Sequence, residues 1–226
     1  MHKNYQSNMA NVVPKVLTDI CEFLSSNQEL TLSNATQDGR INSALNENEI
    51  LNFIESRYNF NDGYSLKRPN AREWYDLVIE NEDTKEFYPI NIKVTDTTHA
   101  DNLNCKLGIY YALTGIKPSF GNEISWLPYF QNLSKNFAHQ EDKDYFFLIV
   151  NKRNSSDIFC ATLKGLNTLT PNGNNLPFQC RWDKNRKVLN RNFADAAKMI
   201  LGTLGESIKL RSDIYFNFKK YFPQYV

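Results

Sequence analysis

The most regular alternation of hydrophobic and polar residues lies in the middle of the chain, in the segment INIKVTD. Ile90, Ile92 and Val94 alternate there with polar residues, and a period of two sends the two sets to opposite faces of a β-strand. The segment therefore predicts a strand over 88–95 that buries its apolar set. That strand would carry Lys93 on its other face, which raises the question of what this lysine does.

Apolar periodicity predicts further elements on both sides of this strand. Helical spacing favours helices over 12–26, 43–58, 105–115 and 193–210, the second with Ser43 as its N-cap. Apolar runs of strand length favour strands over 73–80, 88–95, 144–152 and 157–166. No regular structure is predicted for the aromatic stretch 116–140 or for the Asn/Gly/Pro-rich loop 170–180.

The order of these elements indicates one α/β domain over residues 1–226. The strands 73–80 and 88–95 are joined by a short polar segment, so we expect them to form an antiparallel pair. The run 144–152 is continuously apolar, which is typical of a central strand buried on both faces. The predicted architecture is a central mixed β-sheet flanked by helices.

Composition narrows the class of protein. With 226 residues, 41% of them hydrophobic and 13% aromatic, the chain is able to fold around a core. The four cysteines show no CxxC spacing, which argues against structural zinc and fits reduced thiols in a cytoplasmic protein. No secretory signal and no apolar run of about 18 residues is present, so we expect no membrane association. A net charge of +1 leaves room for a local basic cleft.

The two paired strands would bring an acid and a base together. Asp76 lies on the same face of its strand as Trp74, and Lys93 shares a face with Asn91. If both strands turn their apolar sets inward, Asp76 and Lys93 converge on the other surface. A carboxylate that holds Mg²⁺, beside a lysine that orients or deprotonates water, is an arrangement that hydrolyses phosphodiesters.

A second carboxylate is expected from the helix that begins near Ser43. Glu47 lies three, four and seven residues before Ile50, Leu51 and Ile54, which puts it on or beside the apolar stripe. A carboxylate turned toward a sheet is costly unless it is paired or bound to a metal. Glu47 is therefore predicted as the second metal ligand, although a solvated helix residue is the alternative interpretation.

Asp76, Asn91 and Lys93 resemble the PD-(D/E)xK nuclease motif, and the chain is most similar to type II restriction endonucleases of the EcoRV-like branch. The order of the helix with Glu47, the two strands and the segment NCKLGIYYALTG resembles that branch, as does SIKLRSDIYFNFKKYF near the end. The resemblance implies a PD-(D/E)xK restriction-endonuclease-like fold. It also implies a catalytic core at about 40–165 and recognition or dimer elements at about 166–226.

The same resemblance implies an activity. Such enzymes are homodimers that cut short palindromic sites in double-stranded DNA with Mg²⁺, for which Mn²⁺ can substitute. It assigns the metal positions to Glu47, Asp76 and Asn91, and the catalytic lysine to Lys93.

Two positions depart from the motif. Tyr75 replaces the proline before the first acid, and Asn91 replaces the second acid. Asparagine offers a carbonyl oxygen but lacks the charge that makes Mg²⁺ binding strong. Two alternatives therefore stay open: a sequence-specific DNA-binding protein on a nuclease scaffold with weak or no cleavage, and a repair or mobile-element nuclease of the same fold.

Positions that correspond to DNA contacts in related enzymes fall in three segments. The segment before the first catalytic strand contributes Arg68, Asn70 and Arg72. The segment NGNN resembles a recognition loop that reads the major groove, and contributes Asn172, Gly173, Asn174 and Asn175. Phosphate contacts are predicted for Arg181 and Lys184.

Overall fold

A computed structural model describes residues 13–27, 29–33, 39–138, 143–174 and 177–225. The helices are α1 Lys15–Ser26, α2 Gly39–Arg57, α3 Lys106–Thr114, α4 Trp126–Asn136 and α5 Phe193–Tyr221. The strands are β1 Tyr64–Lys67, β2 Leu77–Asn81, β3 Glu86–Thr95, β4 Ala100–Leu103, β5 Phe146–Asn151, β6 Ile158–Thr162, β7 Thr170–Pro171 and β8 Phe178–Arg181. Short 3₁₀ turns cover Trp182–Lys184 and Pro223–Tyr225.

The central sheet has five strands in the order β1-β2-β3-β5-β6. β3 and β5 run parallel, whereas the other neighbouring pairs are antiparallel. The sheet is therefore mixed, as predicted, and the expected antiparallel pair is β2 with β3. β5 lies between β3 and β6, and its first five residues are buried, which confirms the central apolar strand.

Helices cover both faces of this sheet, which confirms the predicted α/β architecture. On one face, α1 and α2 pack Leu17 and Ile54 against the apolar set of β3 that includes Ile92. On the other face, α3 and α5 pack Ile109 and Ile200 against the opposite side of β5. None of the described helices is both long and apolar enough to cross a membrane.

A second, smaller sheet was not predicted. It has three antiparallel strands in the order β4-β8-β7. The segment 170–180, which was expected to be a loop, contains β7 and all of β8 except Arg181. Strands of two to four residues are too short to show a period of two, which explains why the pattern missed them. Asn102 of β4 pairs in register with Gln179 of β8.

Several boundaries differ from the prediction. The strand expected over 73–80 begins only at Leu77, because Trp74 before it packs in an aromatic cluster with Tyr111 and Tyr145. A helix forms over Trp126–Asn136, where no regular structure was predicted, and it buries Tyr129 one turn before Leu133.

The helices α2 and α5 are longer than expected. Because α2 begins at Gly39, Ser43 is an interior residue of the helix and not its N-cap. The helix expected over 193–210 continues to Tyr221. By contrast, α3 ends as predicted, since Gly115 adopts a left-handed φ of 69° and closes the helix with a hydrogen bond to the Tyr111 carbonyl.

Candidate active site

Asp76 lies immediately before β2, beside the polar face of β3. Its backbone N–H donates to the carbonyl of Ile90 at 2.8 Å, so the β2–β3 pairing extends to this residue. Its Oδ2 accepts two hydrogen bonds of 2.7 Å, from the backbone N–H of Ile92 and from Nδ2 of Asn91. Among the described residues no donor reaches Oδ1. One carboxylate oxygen is therefore anchored and the other remains for a ligand.

Burial and a neighbouring carboxylate raise the pKa of Asp76 to about 6. Burial is the larger cause, and the negative charge of Glu47 adds to it. The hydrogen bond from Ile92 and the positive charge of Lys93 oppose the increase in pKa, with Lys93 the weaker of the two. The negative charge of Asp76 is therefore incompletely compensated by the protein.

Glu47 approaches this carboxylate from α2. The helix buries Ile50 and Ile54 completely, which directs the stripe that includes Glu47 toward the sheet. Glu47 is partly buried, and its Oε1 accepts a hydrogen bond of 2.8 Å from the Ser43 hydroxyl one turn earlier. Its negative charge is one of the causes of the raised pKa of Asp76. The role of Glu47 as the second metal ligand stays a prediction that this electrostatic effect supports.

Lys93 lies on the same face of β3 as Asn91 and is partly exposed. Its Nζ donates to the backbone carbonyl of Asn102 in β4 at 3.2 Å. The side-chain oxygen of Asn102 in turn accepts from Gln179 at 2.9 Å and from Asn172 at 3.1 Å. The small sheet therefore holds the lysine on the polar face of β3, the face that also carries Asn91. Sequence reasoning did not identify Asn102, because nothing local marks a residue whose role depends on three distant segments.

Asn91 contacts Asp76 through its amide nitrogen. In this position it stabilises the carboxylate as a hydrogen-bond donor and adds no negative charge to the site. Ser43 was also not predicted to have a role in the site. Its signal was nevertheless present, since a hydroxyl four residues before a glutamate lies on the same helical face.

The donor set was compared with the requirements of a divalent cation. Among the described residues, no group of three or more His, Cys, Asp and Glu side chains is close enough to hold a metal. The site offers two carboxylates, Glu47 and Asp76, and the amide of Asn91. Mg²⁺ in proteins commonly uses one or two carboxylates and completes its shell with water and substrate phosphate. These residues fit a Mg²⁺ ion that shares its coordination with a phosphate, and fit a closed structural metal site poorly.

The residues predicted to contact DNA before β2 are all exposed or partly exposed. Arg68 donates to both carboxylate oxygens of Glu55 at 2.7 Å and also to Asn52. Asn70 and Arg72 are exposed, and Arg72 has a positive φ of 70° in the turn that leads to β2. This segment lies directly before the candidate site, as expected, although the guanidinium of Arg68 is already engaged.

The predicted recognition loop is partly buried, which corrects the assignment of Asn172. Asn172 is 3% exposed, its backbone N–H donates to Ser207, and its Oδ1 accepts from the backbone N–H of Asn174. A base-reading amide has to face solvent, whereas this side chain supports the loop from inside. Asn174 is exposed and Gly173 partly exposed, and Asn175 lies outside the described residues.

The two predicted phosphate contacts differ in their availability. Arg181 makes a two-pronged ion pair with Asp183, with nitrogen–oxygen distances of 3.1 and 2.6 Å. Lys184 is exposed at the end of the following 3₁₀ turn. Of this pair, Lys184 is the better placed to reach an external anion.

Comparison with known proteins adds no further constraint. The chain matches no protein-family model, and no curated protein is significantly similar to it in sequence.

Proposed function

We propose that this protein is a Mg²⁺-dependent endonuclease of the restriction type, with a PD-(D/E)xK-like fold, that hydrolyses phosphodiester bonds in double-stranded DNA. The observation that carries the proposal is the hydrogen bond of Asn91 to Asp76 beside the start of β2, with Lys93 on the same face of β3 as Asn91. The charges of Glu47 and Lys93 both act on Asp76, which supports a shared site.

Each residue has a defined part in the proposed reaction. Asp76 and Glu47 hold the cation, and Asn91 keeps the anchored oxygen of Asp76 in place through its 2.7 Å hydrogen bond. The bound Mg²⁺ supplies charge stabilisation at the phosphate and lowers the pKa of water. Lys93 orients the attacking water and offsets the charge of the phosphate. Water oxygen bonds to phosphorus as the bond to the 3′ oxygen breaks, which leaves a 5′-phosphate and a 3′-hydroxyl.

The proposed substrate is double-stranded DNA with a palindromic site, cut by a homodimer. Support for a nucleic-acid substrate comes from exposed polar and basic residues, Asn70, Arg72, Asn174 and Lys184. Because the net charge is only +1, binding has to depend on such local groups.

The test is digestion of phage DNA in the presence of Mg²⁺. We expect discrete fragments from the wild type, and a loss of cleavage of about 10²-fold or more in Lys93→Ala. Lys198→Ala, on the exposed surface of α5, is the matched control and should cut like the wild type. Full cleavage by Lys93→Ala would remove Lys93 from the reaction, and sequencing the fragment ends would show whether a palindrome is cut.

Asn91 donates a hydrogen bond to Asp76 and adds no negative charge to the site, so a bound cation would have one carboxylate fewer. This favours a second candidate function, which is DNA binding without cleavage. In that case the wild type should retard one DNA sequence in a gel without cutting it under Mg²⁺ or Mn²⁺. Asn91→Asp is then the informative variant, because cleavage gained by this change would identify Asn91 as the disabling residue.

A further inference from the structure

The two halves of α5 have different surroundings. The first half buries Ala196, Ile200 and Leu204 in the core. Near the middle of the helix, the guanidinium of Arg211 lies 5.4 Å from the centre of the Trp126 ring. Every residue from Ser212 to Tyr225 is exposed, so about three further turns of helix, to Tyr221, lie outside the core.

This exposed half carries an apolar face. Six large side chains fall within an arc of about 140° at the helical repeat of 100° per residue. They are Leu210, Ile214, Tyr215, Phe218, Tyr221 and Phe222. Their exposures run from 44% for Leu210 to 70% for Tyr221. We call this set the α5 apolar face, and Phe216, which is 63% exposed, lies on the opposite side of the helix.

The α5 apolar face is as large as the largest apolar patches that monomers ordinarily expose. Four of its six side chains are aromatic, and a large side chain buries about 150–250 Å², so six half-exposed ones amount to about 600 Å². Two such faces together give about 1,200 Å², which is the lower limit of a standard specific interface. The area therefore suffices for a stable contact between two copies of this helix.

We infer that the α5 apolar face is the contact surface of a homodimer, in which two copies of α5 pack antiparallel about a two-fold axis between Phe216 and Asn217. This deepens the homodimer of the proposed function by naming its surface, and to that extent rests on that function. In this register Phe218 of one copy lies beside Tyr215 of the other, so the aromatic residues match.

Charge supports the antiparallel direction. Asp213 and Lys220 are seven residues apart and therefore lie on the same edge of the apolar face. In the antiparallel register, Asp213 of one copy stands opposite Lys220 of the other, and the pair occurs twice. The mixture of Asp213 with the lysines also differs from a membrane-surface helix, whose polar face is strongly basic.

The first experiment measures mass in solution by sedimentation velocity on the full chain without DNA or metal. We expect a dimer at micromolar concentration for the wild type, and a dissociation constant at least tenfold weaker for Phe218→Glu. Phe216→Glu is the matched control, because it adds the same charge to the opposite side of the same helix turn. A monomeric wild type, or equal loss of dimer in both variants, would overturn the inference.

The second experiment tests the register. Asp213→Lys should weaken the dimer because it places lysines opposite one another, and the double variant Asp213→Lys/Lys220→Asp should restore it. Absence of restoration would rule out this antiparallel pairing. Circular dichroism of each variant reports whether α5 stays helical. Both experiments measure mass and not cleavage. The inference about the dimer surface and the proposal of nuclease activity are therefore tested independently of each other.

Discussion

Asp76 and Asp144 are two carboxyl groups whose pKa is raised to about 6, chiefly by burial, but their surroundings differ. Asp144 is 5% exposed, accepts a 2.7 Å hydrogen bond from the N–H of Tyr145, and has the buried Lys164 as its positive neighbour. Asp76 is partly exposed, and the larger of the two charge effects on its pKa comes from another carboxylate, Glu47.

Asp144 therefore has the surroundings of a structural acid, and Asp76 those of a candidate catalytic acid. The charge of Asp144 is compensated inside the protein, by Lys164 and by backbone N–H groups. The charge of Asp76 is compensated less, because the effect of Lys93 is the weakest of its causes. A similar increase in pKa therefore arises in two kinds of surroundings. Only at Asp76, whose charge is less compensated, would a bound cation supply the missing positive charge. The two sites can be distinguished by experiment.

The largest effect on stability is expected at the Asp144 site. Lys164→Ala leaves a buried carboxylate without its positive neighbour and should lower the free energy of unfolding by about 3–5 kcal/mol. Lys93→Ala is the matched change at the Asp76 site, and it should cost less than about 1 kcal/mol because this lysine is partly exposed. Urea denaturation monitored by tryptophan fluorescence measures both. Equal losses would show that the two lysines have the same structural role.

A smaller effect is expected from adding charge to the Asp76 site. Asn91→Asp replaces a hydrogen-bond donor with a third negative charge, so without metal it should lower the free energy of unfolding by about 1–3 kcal/mol. With Mg²⁺ the same variant should gain more thermal stability than the wild type does, because cation affinity increases with ligand charge. A melting series over MgCl₂ concentration tests this. Asp76→Asn is the control, and it should lose the response to Mg²⁺.

The pH dependence of stability should follow from both carboxyl groups. Their folded-state pKa of about 6 lies above the ordinary value of 3.8, so between about pH 4 and 6 the folded chain binds more protons than the unfolded chain. Each group therefore stabilises the fold at low pH relative to neutral pH, and this contribution is lost as the pH rises through about 6.

The contribution of Asp76 to this pH dependence is obtained by comparing the wild type with Asp76→Asn. In Asp76→Asn the decline of unfolding free energy between pH 4 and 6 should be shallower than in the wild type, by about 2 kcal/mol. Mg²⁺ should reduce the decline in the wild type and leave it unchanged in the variant. Parallel pH curves for the two proteins would contradict the unusual pKa of Asp76.

The smallest effect is expected at Arg68, whose charge is paired at the surface. Arg68→Ala breaks an exposed ion pair with Glu55 and should change the unfolding free energy by less than about 1 kcal/mol. If Arg68 also contacts a phosphate, the variant should release about one ion fewer on binding DNA, so the slope of log affinity against log salt concentration should fall by about one. Filter binding over a range of NaCl measures that slope. The exposed Lys198→Ala serves again as the control.

Much of the candidate site was predictable because it depends on local pattern. The period of two in β3 placed Asn91 and Lys93 on one face, and a short polar turn made β2 its antiparallel neighbour. From these two facts Asp76 had to lie near Asn91, and the 2.7 Å hydrogen bond between them is the result. Helical spacing likewise put Glu47 beside the apolar stripe of α2, but it did not show on which residue of the sheet its charge would act.

What could not be predicted depends on contacts between segments that are distant in the chain. Asn172 has the composition of a surface turn, yet it is buried because Asn102 and Ser207, from β4 and α5, supply its hydrogen bonds. The strands β7 and β8 carry too few residues to show a period, and they form because β4 pairs with β8.

The sequence alone determined the mixed sheet, the polar face of β3 and the contact of Asp76 with Asn91, because alternation and short turns act between neighbouring residues. Only the tertiary structure decided which aspartate is compensated and which is not, since Lys164 comes to Asp144, and Glu47 to Asp76, from other elements. It also decided that α5 carries its aromatic residues into solvent, because periodicity defines an apolar face but does not show what covers it. Local order is a property of the nearby chain, whereas burial and charge compensation belong to the assembled fold.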